Sequence, residues 1–300
     1  MNTYTKEIHP DPEFYIVKFT RNLGMPYLLF IHGGPGFNCG TIEYLIEHNN
    51  LFRHLNHNII LYDQRNCGRS RKATNHVVHK NNIEDLQKII QHLNTRNIHI
   101  HGLIGHSYGA KLLYDFYNQF QSEIPGIFIS TASSILTPRL NNLILDLAYL
   151  KKSKPERYNE TLSKMDNLDI KKIWNISEKL TSLFHENKER PFLYWANIEC
   201  YETVKKIQQQ INQPVNMDVF VSVRKDLYLT ESNFTVNIDS LDISYLWING
   251  FHDFIINGSE GILSSNPNII TFYKSSHYPH IEENNHFSKL INKFFKKQRN

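Results

Sequence analysis

The stretch from Ile98 to Leu112, Ile98-His-Ile-His-Gly-Leu-Ile-Gly-His-Ser-Tyr-Gly-Ala-Lys-Leu112, most constrains what this chain can fold into. The apolar run Ile98 to Ile104 predicts a strand, and Ala110 to Phe120 predicts a helix. Between them, Gly105-His-Ser-Tyr-Gly109 has the G-x-S-x-G form. As a bare pentapeptide this is a weak signal. Strand, sharp turn and helix together are the setting in which a serine is presented on a strained corner with its hydroxyl exposed. Ser107 is therefore the candidate nucleophile. The amide of Tyr108, at the helix N-terminus, can face a developing negative charge.

Around this stretch the chain alternates strand and helix. Strands are expected at Phe14 to Thr20, Tyr27 to Ile31, Asn58 to Tyr62, Ile124 to Ser130, Ile243 to Ile248 and Asn268 to Phe272. The first two, divided by Arg21 to Gly24, read as an antiparallel hairpin at a sheet edge. Ile83, Leu86, Ile89, Ile90 and Leu93 have helical spacing. Strands buried on both faces and separated by helices imply an α/β fold, a mostly parallel sheet covered by helices. Active sites of such sheets lie at the carboxyl ends of the strands, where His32, Asp63, Ser107 and Thr131 fall.

The pattern changes at Pro138. Helices are expected at Leu140 to Leu150, from Pro155, at Leu168 to Leu183 and at Phe192 to Ile211, with a break near Pro191. The expected organisation is a core over 1–137, an inserted helical cap over 138–216, and a linker with the second part of the core over 217–300. Met217 to Val236 is assigned to the linker. The final helix, Asn284 to Phe295, ends in cations that suit a helix C-terminus.

Composition narrows the function classes. The formal net charge of +4 is small and not gathered into a basic block, so nucleic acid is not an expected partner. No run approaches the roughly 20 apolar residues of a membrane span, and the first residues lack a signal-type apolar core. Cys39, Cys67 and Cys200 are far apart and form no CxxC pair, which argues against a metal knuckle and fits a cytoplasmic setting. No metal or organic cofactor is expected, and the oligomeric state is not legible.

A serine hydroxyl needs a base, and the base needs an orienting group. Asp253 and His277 each follow a predicted core strand, in the chain order Ser, Asp, His that this sheet topology uses. With 16 histidines a chance match is easy. His280 is the main rival base, His252 and His106 lesser ones, and Asp242 and Asp239 are rival acids. The loop His32-Gly-Gly-Pro-Gly36 can bring its backbone close to a ligand, and the amide of Gly34 is the candidate second oxyanion donor. Asp63 and Arg65 are expected to brace loops.

These motifs resemble the proline iminopeptidase group of α/β-hydrolases. His32-Gly-Gly-Pro-Gly36 is similar to its HGGPG loop, Asp63-Gln-Arg-Asn-Cys-Gly-Arg-Ser70 to its DQRGxGRS segment, and Gly105 to Gly109 to its serine elbow. Gly250-Phe-His-Asp253 and Ser276-His-Tyr-Pro-His-Ile-Glu282 resemble its acid and histidine loops. The resemblance implies a serine exopeptidase that releases an N-terminal residue, preferably proline, from short peptides. It implies oxyanion amides from Gly34 and Tyr108, and cap carboxylates that hold the substrate's free amino group. Trp195-Ala-Asn-Ile-Glu199 is a degraded form of the family's W-x-x-W-E, so Glu199 is the first candidate for the amine, with Trp195 beside it and Asp226 as the second acid. Asn66, His106, Tyr108 and Ile198 depart from the family pattern and weaken the proline preference more than the hydrolase assignment. The alternatives are another serine hydrolase acting on a small ester, amide or lactone, and a non-catalytic protein binding a ligand or partner.

Overall fold

The computed structural model describes residues 4–70, 76–132, 134, 136–167, 169–180, 183–187, 189–230, 236–237, 240–257 and 266–298. Asp239, one of the rival acids, and Leu168, at the start of an expected helix, lie outside these. Eight strands form one sheet in the order β1-β2-β4-β3-β5-β6-β7-β8. They are β1 (Thr5–His9), β2 (Ile16–Thr20), β3 (Tyr27–Ile31), β4 (Asn58–Tyr62), β5 (Ile100–His106), β6 (Gly126–Ile129), β7 (Tyr245–Gly250) and β8 (Ile269–Phe272). From β4 through β8 every pairing is parallel, so the loops that leave β3 to β8 all emerge at one edge of the sheet.

The expected hairpin is not formed. β2 pairs antiparallel with β1 and with β4, and β4 separates it from β3. β1 has no sequence signal because Thr5-Lys-Glu-Ile is exposed and only His9 is buried. An edge strand of this kind needs no apolar alternation.

The strands read as continuous apolar runs because both faces are covered. In β3, Leu29 and Ile31 join one core layer, with Leu86 and Leu113. Leu28 and Phe30 join the other, with Leu45 and Phe287. Helices α2 (His79–Thr95) and α3 (Tyr108–Phe120) therefore cover one face, and α1 (Gly40–His48) and the C-terminal helix cover the other.

Every described element between β6 and β7 is helical. These are α4 (Leu136–Ser153), α5 (Pro155–Leu162), α6 (Ile170–Lys179), α7 (Leu183–Glu186), a 3-10 turn at Arg190–Tyr194, α8 (Ile198–Ile211) and α9 (Met217–Thr230). Leu143, Leu150, Ile176, Leu180 and Leu183 form a small core of their own within it. The stretch assigned to a linker is in fact helix α9. Its valines have low helix propensity, but Val219, Val223 and Leu227 are buried in the main core, and that packing outweighs propensity. After β7 come α10 (Phe254–Asn257), α11 (Pro279–Glu282) and α12 (Asn284–Lys297).

The turn from β5 into α3 is tightly packed. A Cβ at Gly105 would lie 2.5 Å from the carbonyl oxygen of Gly109, and one at Gly109 would collide with the carbonyl oxygen of Ile31. Backbone cannot yield as a side chain does. Gly109→Ala is expected to cost about 1–3 kcal/mol through overpacking. Gly24→Ala, whose new Cβ meets only the Asn22 side chain at 3.5 Å, serves as the control. Urea unfolding of both variants checks the contrast, and equal midpoints would refute it.

Candidate active site

Ser107 stands between β5 and α3 with φ 53° and ψ −117°. A non-glycine residue in this region is strained, and the surrounding structure must hold it there. The Ser107 amide donates to the carbonyl of Ile129 at 2.8 Å, and its carbonyl accepts from the amides of Ala110 and Lys111. The neighbouring strand and the first helical turn thus fix the corner from both sides. Ser107 is half-buried and lines a cavity of about 150 Å³, which Gly34 and Tyr108 also line.

Among the described residues, no acceptor is found for the amides of Gly34 or Tyr108. Gly34 has φ +136°. Its loop is tied to the next one. The Gln64 amide donates to Nε2 of His32 at 3.1 Å, so Nδ1 carries the hydrogen and donates to the Gly33 carbonyl at 2.7 Å. The Gln64 side chain donates to the His32 carbonyl. Burial holds the His32 imidazole below its ordinary pKa.

Asp63 and Arg65 brace loops, as expected. Asp63 is fully buried and accepts from the Cys39 amide at 2.8 Å and from Arg69 through both its amide and Nε. Burial alone would raise its pKa, but the Arg69 guanidinium and these hydrogen bonds outweigh it and hold the carboxyl below its usual value. Arg65 binds both oxygens of Asp85.

Asp253 and His277 come together. Nδ1 of His277 donates to Oδ2 of Asp253 at 2.7 Å, and both side chains are buried. The second oxygen of Asp253 accepts from the Ile256 amide at 3.3 Å. His277 adjoins the elbow through His106, whose ring centroid lies 5.1 Å from its own and whose Nε2 donates to the His277 carbonyl at 2.9 Å. Among the described hydrogen bonds none joins Ser107 to His277 directly. Catalytic hydrogen bonds in ligand-free structures are often loose and tighten when substrate binds.

The rivals are placed otherwise. His280 is fully buried against Phe30 and His106, and neither ring nitrogen has a partner. Burial first, then the neighbouring His277, pushes its pKa down to about 3. Asp242 is exposed before β7. His252 sits in the turn after β7, where its carbonyl accepts from the Ser276 hydroxyl.

Sequence reasoning missed what holds the histidine loop. The His277 amide donates to the Tyr194 carbonyl at 3.1 Å, and the Ser276 hydroxyl donates to the Leu193 carbonyl at 3.0 Å. Glu282 accepts from the amides of Ala196, Asn197 and Ser276 at 2.6, 2.8 and 2.7 Å. The 3-10 turn at Arg190–Tyr194 is thereby fastened to the loop carrying His277. No local motif marks these contacts, because they use backbone groups of a degenerate helical stretch.

The residues assigned to the amine lie elsewhere. Glu199 is exposed on α8 and lines a different depression, of about 260 Å³, against α1. Asp226 accepts from the His79 amide at 2.9 Å, capping α2 instead of facing Ser107. Trp195 stacks on Tyr278, centroids 4.2 Å apart, and is not among the described residues lining the cavity at Ser107. Among the described residues, the charged ones lining that cavity are Lys111, Arg139 and Arg224. The Tyr108 ring is fixed by a buried network. Asn82 donates to its oxygen at 2.8 Å, and its hydroxyl bonds His79, which reaches Asp115.

Residues 26–283 match the family described as alpha/beta hydrolase fold, and the chain belongs to it. A proline iminopeptidase of Saccharolobus solfataricus is 26% identical over 278 residues, which is 89% of this chain and 84% of that protein. A proline iminopeptidase-related protein of Thermus thermophilus superposes with a TM-score of 0.61 at 17% identity, covering 98% of this chain and 97% of that one. An esterase of Exiguobacterium antarcticum superposes with a TM-score of 0.60 at 15% identity, covering 99% and 100%. Among the described residues no helix is long and apolar enough to cross a membrane.

The neutral burial of His280 has a pH consequence. Its folded pKa, about 3, lies below the unfolded value near 6.5, so the unfolded chain takes up the proton first. Stability is therefore unaffected above pH 6.5 and falls as pH drops towards 3. Between pH 7 and pH 5 this one residue is expected to remove roughly 2 kcal/mol. His280→Phe should flatten the acid limb by that amount, read by urea unfolding at the two pH values. An unchanged difference between them would contradict the assignment.

Proposed function

We propose that this alpha/beta hydrolase is a serine hydrolase that cleaves a small ester or amide through an acyl-enzyme. The supporting observations are the buried Asp253–His277 hydrogen bond, 2.7 Å long, and a serine held at positive φ in the elbow whose His106 packs on His277. Asp253 keeps the hydrogen on Nδ1 of His277, leaving Nε2 as the base. As Oγ of Ser107 bonds to the substrate carbonyl carbon, its proton passes to Nε2. The amides of Gly34 and Tyr108 receive the resulting oxyanion. Collapse breaks the bond to the leaving group, which takes the proton from Nε2. Water then repeats the sequence and frees the acid. No step needs a cofactor.

The helices from α4 through α9 act in this reading as a cap. Arg139 of α4 and Arg224 and Tyr228 of α9 line the cavity at Ser107, so the covering segment extends beyond residue 216 to the end of α9.

Release of an N-terminal residue, preferably proline, is a second reading. It is favoured by the HGGPG-type and DQR-type loops and by the names of the curated relatives. It requires a carboxylate for the substrate ammonium, and the candidates for that role, Glu199 and Asp226, lie outside the cavity lining. Short peptides and small esters or amides are the substrates to test.

A fluorophosphonate probe should label the wild-type protein and not Ser107→Ala. Ser107→Ala should lower kcat on p-nitrophenyl butyrate by at least about a thousandfold, and Asp253→Asn by about a hundred- to ten-thousandfold. A folded wild-type protein that resists the probe and cleaves no ester would sink the proposal. Proline-naphthylamide assayed beside its N-blocked form separates the readings, since an exopeptidase requires the free amine.

A further inference from the structure

We infer that the cavity at Ser107 selects a substrate bearing a carboxylate, which Arg139 and Arg224 bind while the scissile carbonyl lies against Ser107. This rests on the reading of Ser107 as nucleophile and names the substrate class for the same site.

Both arginines line the cavity that holds Ser107 and Gly34. Arg139 is only 5% exposed, and its buried Nε has no hydrogen-bond partner among the described residues. Its guanidinium lies 4.7 Å from the ring centroid of Trp174 and 5.4 Å from that of Tyr228. Among the described residues its hydrogen bond runs from Nη2 to the Trp174 carbonyl at 3.5 Å, the limit for such a bond. Arg224 reaches in from α9, its guanidinium 4.5 Å from the Phe220 centroid. Among the described residues neither arginine forms an ion pair. Asp146, the acid nearest in sequence on α4, is engaged by Arg190, and Glu178 acts on Arg139 only at longer range. Lys111, which also lines the cavity, is paired with Asp115.

The physical situation is unusual for a resting protein. Two guanidinium groups share one small cavity, and among the described residues each lies over an aromatic ring with no carboxylate paired to it. Stacking on a ring leaves the in-plane N–H edges free for a planar, bidentate acceptor. Burial, and after it the charge of Arg224, brings Arg139 down to about 10, and burial also lowers Arg224. Both remain charged at neutral pH and both are under-solvated. A buried cation without a counter-charge is costly, and an incoming anion relieves that cost. An ammonium at the same place would be repelled, and no described acid lines the cavity to offset this.

The test compares esters that differ only in charge. Wild-type kcat/KM is measured on the mono-p-nitrophenyl esters of succinic and glutaric acid beside p-nitrophenyl butyrate and valerate. 4-Carboxyphenyl butyrate beside phenyl butyrate places the carboxylate in the leaving group. In at least one pair the charged ester should be favoured by about ten- to a hundredfold, and the pair that shows it identifies which side of the scissile bond carries the charge. Arg139→Gln and Arg224→Gln should each reduce the ratio of charged to neutral kcat/KM about tenfold or more, with Arg→Lys retaining part of it. A ratio near one in every pair, or ratios that neither Gln variant changes, overturns the proposal. Calorimetry with Ser107→Ala provides an arm independent of turnover. Glutarate should bind at least about tenfold tighter than neutral glutaramide, and equal or absent binding counts against the proposal. If no ester turns over and the fluorophosphonate probe fails, yet glutarate binds, the anion site stands and the nucleophile reading falls. If butyrate turns over without any charge preference, the reverse holds.

Discussion

Parallel pairing of β5 between β3 and β6 is the constraint on which the rest of the structure depends. A parallel strand brings its carboxyl end to the same edge as its neighbours, so loops from β3, β4, β5, β7 and β8 meet there although they are far apart in sequence. The Ser107 amide is bonded to the carbonyl that ends β6, and a Cβ at Gly109 would clash with the backbone that ends β3. The strained corner is thus held by the same pairings that hold the sheet. The strain at Ser107 is offset both by the neighbouring strand, through the Ile129 carbonyl, and by the first turn of α3.

The site combines elements of different legibility. Its proposed catalytic portion combines a turn, two amides without an acceptor among the described residues, and a buried carboxylate–imidazole pair. Its second portion, the cavity beside Ser107, is lined by side chains from helices α4 and α9; α4 packs largely in a small cluster of its own, and α9 packs into the main core. The first portion suits acyl transfer in general. The second carries cationic charge and aromatic faces, a different chemistry from the acidic cap expected from the resemblance. Structural neighbours named both as a proline iminopeptidase-related protein and as an esterase share this fold, so the fold itself does not choose between them.

Much of the core was legible in the sequence for physical reasons. β3 and β4 match their expected limits because both are buried on both faces and bounded by turn residues. The elbow was legible because glycine at two fixed positions leaves little else the chain can do there. The hairpin expectation failed because adjacency in sequence does not reveal that β4 inserts between two earlier strands. Helix α9 was hidden by its valines, whose burial is a tertiary fact. Glu199 and Asp226 were chosen by position in a degraded motif, and a helical face is decided by packing that a five-residue pattern does not encode. Arg224 and Asp226 are two residues apart, about 200° round the helix, so nearly opposite faces of α9 carry the residue that lines the cavity and the one that caps α2.

The bonds from the 192–197 segment to the loop bearing His277 have a mechanical consequence. Two main-chain carbonyls and two amides of that segment grip the loop, with Glu282 as the shared clasp. A roof joined to its walls in this way does not swing freely over the reaction chamber. Whatever displaces this part of the roof also pulls on the loop that carries His277, so in the proposed mechanism the placement of the roof and the aim of the imidazole are coupled. Grafting a foreign roof onto this sheet would therefore have to carry the matching clasp with it, or the loop bearing His277 would lose its anchor.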